Sequence, residues 1–212
     1  MRGRNKPWAK DFIAAHQDLI FDKEKKYDKP LTLEVGIGKG DFIVQNASFN
    51  KDYLHVGVEI NESIFAIAMK KIVNMGIDNI KMLNIKAADL LNYTNENSFS
   101  KIYLNFSDPW PQNGYRKRRL VHPIHLEIFE KIIIDKGMIL FKTDNQQLFE
   151  MAKRNFETRN YQIISISDNY QTEDGDFVSE YESRFRSQGL PIYRIVAIID
   201  KTKFKPWGET YK

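Results

Sequence analysis

Short apolar runs alternate along the chain with longer segments of helical periodicity, the pattern of a parallel sheet whose strands are joined by helices. Seven runs read as strands: Leu31–Ile37, Tyr53–Ile60, Ile80–Ile85, Lys101–Phe106, Met138–Thr143, Tyr161–Ile166 and Ile192–Ile199. Between them, Asn61 is placed to cap a helix carrying Ile64, Ala68, Ile72 and Met75 on one face, which Gly76 ends. A second helix is predicted from Pro123 towards Ile134, with Leu126, Phe129, Ile132 and Ile133 turned inward, and a third from Gln146 to Phe156. Two stretches break the rhythm. Ser107–Leu120 is rich in Pro, Gly and cations, and Asp168–Gly189 is polar with clustered charge, so both read as loops or lids, where function concentrates. The expectation is an α/β fold, a mostly parallel seven-stranded sheet with helices on both faces, and one domain over residues 1–212, with a basic segment at about 1–20 and a basic tail at about 201–212.

Length and composition agree with one large core: 212 residues, 42% of them hydrophobic, with no repeat, low-complexity tract or linker. Cysteine is absent, which excludes disulfides and thiolate metal sites and favours a cytoplasmic protein. The basic start MRGRNKPWAK is followed by DFIAAHQDLIF, too short and too charged for a signal peptide or a membrane span. The net charge of +4 matters less than its distribution: cations gather at Arg2, Arg4, Lys6 and Lys10, at Arg116, Lys117, Arg118 and Arg119, and at Lys201, Lys203 and Lys205. Each cluster fits a polyanionic partner or a solvated face equally well. The four histidines show no ligand spacing, so no metal is expected. Trp8 and Trp207 read as packing anchors.

The segment Glu34-Val-Gly36-Ile-Gly38-Lys-Gly40 follows the first strand and precedes a helix, which is the context a nucleotide-binding turn requires. Glycines let the backbone turn sharply and approach a ligand closely. Nineteen residues beyond Gly40, Glu59 ends the second strand, where a carboxylate accepts both hydroxyls of a ribose. The spacing is GxGxG, not the GxGxxG of dinucleotide binders, and Glu34 would repel a pyrophosphate but attract a sulfonium or ammonium. The segment resembles the cofactor turn of class I methyltransferases, whose Rossmann-like fold and S-adenosylmethionine the resemblance implies. After the third strand, Lys86, Ala87 and Asp89 lie where the adenine is expected; Asp89 reads either as an adenine contact or as a helix cap before Leu90.

After the fourth strand comes Asn105-Phe-Ser-Asp108-Pro-Trp110-Pro, then Gln112-Asn-Gly-Tyr115 and the four cations. Ligands bind at the carboxyl ends of parallel strands, so this segment is expected beside the transferred methyl group. The two prolines stiffen the backbone around Trp110 into an edge suited to stacking on a base, although a proline-rich turn around a structural Trp has the same pattern. Tyr115 fits a stacking residue or a plain surface residue. The segment resembles the signature of bacterial tRNA (guanine-N7-)-methyltransferases, and so do Phe141-Lys142-Thr-Asp144-Asn and Ser179-Glu180-Tyr181-Glu182; the similarity spans about Arg2 to Ile199.

That resemblance implies methyl transfer from S-adenosylmethionine, leaving S-adenosylhomocysteine, to guanine N7 of tRNA at position 46 of the variable loop. It implies Asp108 as the catalytic carboxylate and Glu34, Gly36, Gly38, Gly40, Glu59, Lys86, Ala87, Asp89, Asn105 and Asp108 as cofactor contacts. Gln112, Arg116, Lys117, Arg118, Arg119, Lys142, Asp144, Ser179, Glu180, Tyr181 and Glu182 are implied to meet the tRNA. Three positions depart from the family pattern: Lys86 where Asp is usual, Gln112 where Lys is common, and Ser179 for Thr. Guanine N7 carries a lone pair and no proton, so the reaction asks for in-line positioning and a carboxylate near the developing positive charge rather than a base. The residues leave open a methyltransferase acting on a small molecule, a protein or another RNA, and an RNA-binding protein without catalysis. Glycine spacing and Glu34 disfavour a nicotinamide-dependent oxidoreductase. Monomer and homodimer both stay open.

Overall fold

The computed structural model describes residues 6–173 and 176–203, without the side chains of Asn113 and Glu180. Arg2, Arg4, Lys205 and Trp207 therefore lie outside the described residues. All seven predicted strands form, as β1 (Leu31–Val35), β2 (Leu54–Val58), β3 (Ile80–Leu83), β4 (Phe99–Asn105), β5 (Ile133–Thr143), β6 (Gln162–Ser167) and β7 (Tyr193–Ile199). They make one sheet in the order β3-β2-β1-β4-β5-β7-β6. β1 to β5 run parallel, with Leu33 beside Val56 on one side and Ile102 on the other, while β7 enters antiparallel between β5 and β6.

Helices lie on both faces: α1 (Ala9–Ala15), α2 (Asp41–Phe49), α3 (Glu62–Asn74), α4 (Leu90–Tyr93), α5 (Pro123–Ile132), α6 (Gln146–Thr158) and α7 (Glu180–Ser187). Strand alternation sorts the core into two clusters. Leu33, Val35, Ile102, Leu104, Ile139, Phe141, Ile195 and Ala197 meet Leu126, Phe129 and Phe156 from α5 and α6. On the opposite side, Ile43 and Val44 of α2 pack with Phe65, Ala68, Met69 and Ile72 of α3. Gly57 has no side chain because a Cβ there would stand 2.9 Å from Ile43, so it sets how closely α2 lies on the sheet.

The helix signals fall where the chain places them. Asn61 accepts the Ile64 N–H at 3.1 Å and Asn145 accepts that of Leu148 at 2.9 Å. Gly76, at φ 62°, follows α3 in the left-handed conformation that stops it. Several expectations need correction. The second predicted helix ends at Ile132, not Ile134, because Ile133 already starts β5, and the third runs on to Thr158. The polar stretch Asp168–Gly189 is not all loop: α7 occupies its last third, with Ser179 accepting the Glu182 N–H at 3.1 Å. Asp89 stands just before α4 but makes no capping hydrogen bond, so the cap reading fails. Trp8 is 37% exposed, edge-on to Phe12 with Lys70 over its ring.

One buried ion pair fixes the far side of the sheet. Arg159, 1% exposed after α6, donates through two guanidinium nitrogens to Glu130 of α5, and the Tyr161 hydroxyl before β6 donates to the same carboxylate. Removing one member strands the other charge in the core. Arg159→Met is expected to lower stability by about 3–5 kcal/mol, and Arg159→Met with Glu130→Leu to recover much of that loss, both read from urea denaturation.

Candidate active site

The site grows from the point where β1 has β2 on one side and β4 on the other, so that the chain segments leaving β1 and β4 part and leave a cleft between them. Gly36, Gly38 and Gly40 adopt φ of 85°, 55° and 81°, left-handed conformations that side chains resist. Space is open where Cβ atoms of Gly36 and Gly38 would stand, whereas one on Gly40 would lie 3.2 Å from Ala68 of α3. The first two glycines therefore shape a cradle, and the third lets α2 and α3 close up. The Gly36 N–H donates to the Val58 carbonyl at 2.8 Å, tying the turn to β2.

Glu59, just past β2, faces this turn. Its carboxylate accepts the Gly38 N–H at 3.1 Å and the Asn61 N–H at 2.8 Å, and burial holds its pKa above the usual range. Asn84 donates to the Glu59 carbonyl at 2.6 Å. Lys86 is exposed and Ala87 half-buried in a single 3₁₀ turn, Ala87–Asp89, beside this edge of the cleft.

Glu34 is only 4% exposed; Asn105 of β4 donates to Oε1 at 3.3 Å, and Oε2 has no partner. Burial pushes its carboxyl up to about 8. A cleft of about 40 Å³ is lined by Glu34, Gly36, Gly38, Asn105 and Phe106, and is closed by Ser179 and Tyr181 at the start of α7. A buried carboxyl with one oxygen unengaged, beside an open glycine cradle, fits a ligand that carries positive charge and approaches the backbone closely.

Asp108 is exposed three residues beyond β4, and Asp144 half-buried one residue beyond β5. The cations after Asp108 divide. Arg116 and Lys117 are exposed, as is Gln112. Arg118 is exposed but lies over the Trp110 and Tyr115 rings. Arg119 is 7% exposed and donates to the Trp110 carbonyl at 2.9 Å. Its expected place on the RNA surface is thus corrected: Arg119 is a structural cation bracing the loop.

Lys142 and Glu182 also differ from expectation. They are 6% and 1% exposed, and the Lys142 ammonium donates to Glu182 Oε2 at 3.4 Å. Arg186 donates to Glu182 Oε1 at 3.1 and 2.6 Å, and to the Tyr170 carbonyl at 3.0 Å. Both carboxylate oxygens of Glu182 are engaged, so in this conformation it pins α7 to β5 instead of meeting a substrate. Ser179 and Tyr181 do reach the cleft; the side chain of Glu180 lies outside the described residues.

Sequence reasoning missed the sheet face beneath this lid. Lys101, Tyr103 and Asn105 of β4, Lys142 of β5 and Arg194 of β7 line a cavity of about 200 Å³ with Phe42, Asn46 and Asn50 of α2 and Asp176 and Phe177 of the segment before α7. Burial pushes the Tyr103 hydroxyl up to about 12. The signal was present: polar side chains at every second position of a strand otherwise set in the core. Among the described residues, no group of His, Cys, Asp and Glu could hold a metal ion, and no helix is long and apolar enough to cross a membrane.

Strand order, glycine turn and paired acidic strand ends define the class I methyltransferase fold. Solved structures agree: 16S rRNA methyltransferase KamB is similar at TM-score 0.63 and 14% identity over 88% of this chain and 93% of that one, and a SAM-dependent methyltransferase from Aquifex aeolicus at 0.56 and 11% over 92% and 94%. Residues 28–195 match a family described as putative methyltransferase. A Geobacillus kaustophilus protein named tRNA (guanine-N(7)-)-methyltransferase is 40% identical over 93% of this chain and 97% of its own, and one of that name from Bacillus subtilis 36% identical over 92% and 97%. The chain belongs to the tRNA (guanine-N(7)-)-methyltransferase family.

Because Glu34 is buried and its pKa raised, the folded state retains a proton that the unfolded chain releases above about pH 4.5. Its contribution to stability is therefore full below that pH and is lost as pH rises towards 8. Glu34→Gln is expected to abolish this component, on the order of 5 kcal/mol across the window, seen as the difference between wild-type and variant stability from pH 4.5 to 8 in denaturant titrations.

Proposed function

We propose that this chain transfers the methyl group of S-adenosylmethionine to N7 of a guanine in tRNA, at guanosine 46 of the variable loop. The observation that carries the reading is the cleft itself: a buried carboxyl with an unengaged oxygen beside left-handed glycines, next to a loop bearing Asp108 and the exposed cations Arg116 and Lys117. The names of the similar Geobacillus and Bacillus proteins support the substrate.

The cofactor supplies an electrophilic methyl group on a cationic sulfur. Glu34 and the backbone around Gly36 and Gly38 would hold its charged end, with Asn105 orienting the Glu34 carboxyl. Glu59 would receive the ribose hydroxyls, its carboxylate already oriented by the Gly38 and Asn61 N–H groups. Asp89, whose carboxylate caps nothing, is free for the adenine amino group beside Lys86 and Ala87.

On the RNA side, Asp144 would accept from guanine N1 and N2, donors that adenine lacks. Asp108 abstracts no proton; it stabilises the positive charge that develops on the purine. Arg116 and Lys117 supply phosphate affinity, with Gln112 a weaker contact than a lysine would be. Ser179 and Tyr181 close the cleft and shield the reaction from water. The protein acts in this reading as a cytoplasmic enzyme of one domain.

Incubation with labelled S-adenosylmethionine and unmodified tRNA is expected to yield 7-methylguanosine on nucleoside analysis, and a tRNA with guanosine 46 replaced to yield none; label in any other nucleoside overturns the assigned position. Asp108→Asn is expected to lower turnover by about 100-fold while tRNA affinity is kept. Full turnover in that variant would remove the electrostatic role.

A further inference from the structure

Trp110, Tyr115 and Arg118 form a small stack on the protein surface, a few residues from Asp108. The ring centroids of Trp110 and Tyr115 are 5.8 Å apart, and the Arg118 guanidinium carbon lies 4.9 Å from one and 4.5 Å from the other. Trp110 is held in place from below. It adopts φ 42°, a strained conformation for a bulky residue, between Pro109 and Pro111, and its carbonyl accepts from buried Arg119 at 2.9 Å. Tyr115, in the 3₁₀ turn Asn113–Arg118, leaves 40% of its surface exposed instead of packing inward.

The arrangement costs backbone strain and leaves Tyr115 exposed and Trp110 only half-buried, with a planar cation over both rings. A folding role would bury the rings; a pure phosphate contact would leave Arg118 extended towards solvent, as a charge needs no aromatic support. A flat, delocalised guanidinium on two rings occupies the kind of surface on which a nucleobase stacks. When one nucleotide is drawn out of an RNA stack towards a buried site, its neighbour loses a stacking partner, and an aromatic face nearby recovers that energy without reading sequence.

We propose that the Trp110–Tyr115 face is a stacking site for an RNA base flanking the methylated nucleotide, and that Arg118 covers this face until RNA arrives. The inference rests on the reading of tRNA as substrate. It divides the basic loop into three functions: Arg119 braces, Arg116 and Lys117 meet phosphates, and Arg118 with its two rings holds a base.

Stacking and charge differ in their response to salt. Phosphate contacts release counterions and steepen the fall of affinity with salt, whereas a base on a ring releases none. Equilibrium binding of unmodified tRNA across a salt series is therefore the test, with wild type, Tyr115→Ala, Tyr115→Phe and Arg116→Ala, each checked for unchanged S-adenosylhomocysteine affinity. Tyr115→Ala is expected to weaken binding roughly 5- to 150-fold, the range for losing one base stack, with the slope against log salt unchanged. Tyr115→Phe is expected to bind as wild type does, and Arg116→Ala to lower the slope by about one. If Tyr115→Ala binds within twofold of wild type, or if its loss appears as a change of slope, the stacking site is wrong and the substrate reading stands. If wild-type protein fails to bind tRNA at all, the substrate reading fails and takes this inference with it.

Discussion

The site depends on a topological constraint. The chain builds β1, β2 and β3 outward in one direction, then returns to lay β4 on the other side of β1. The backbone leaving β1 and the backbone leaving β4 must therefore part. Glu34 on β1 and Asn105 on β4 stand at that divide; Glu34 is paired with Tyr103, two residues before Asn105, and the Asn105–Glu34 hydrogen bond closes the floor of the cleft. A buried carboxyl with an unengaged oxygen is tolerated there because the sheet around it is fixed by parallel pairing on both sides.

On this floor the two faces of the sheet do different work. One face is apolar throughout and packs α5 and α6 against the strands, supplying the burial that holds the fold. The other is mixed: it carries the buried pair Thr32 and His55 beside the apolar residues of α2 and α3, then Tyr103, Lys142 and Arg194, which the segment before α7 covers. Phe177 of that segment packs near Phe42 and Phe49 of α2, and Phe185 of α7 stacks on Phe106, so the cover is attached by aromatic contacts at both ends. Between them, Glu182 is gripped by Lys142 from the sheet and Arg186 from its own helix.

Much of this was legible in the chain. Strand existence followed from short apolar runs, and the glycine turn from spacing and context, because those depend on local sequence. Helix ends were read less well: Ile133 is equally apolar as the last turn of a helix or the first residue of a strand, and pairing with Phe99 decides it. α7 was missed because its residues Glu180–Ser187 are mostly polar, and what holds it, Glu182, Phe185 and Arg186, is tertiary. The same limit explains Arg119 and Lys142. A cation in a basic run looks like its neighbours until the fold shows that one of them points at a backbone carbonyl inside.

The cover over the cleft is a single excursion between β6 and β7, two strands that sit at the antiparallel edge of the sheet. Nothing in the parallel half runs through it. It is nonetheless tied back to the parallel half, for Gln45 of α2 donates to the Val178 carbonyl and Lys142 of β5 to Glu182. One excursion therefore roofs two places at once: the glycine cleft, through Ser179 and Tyr181, and the polar sheet face, through Asp176 and Phe177.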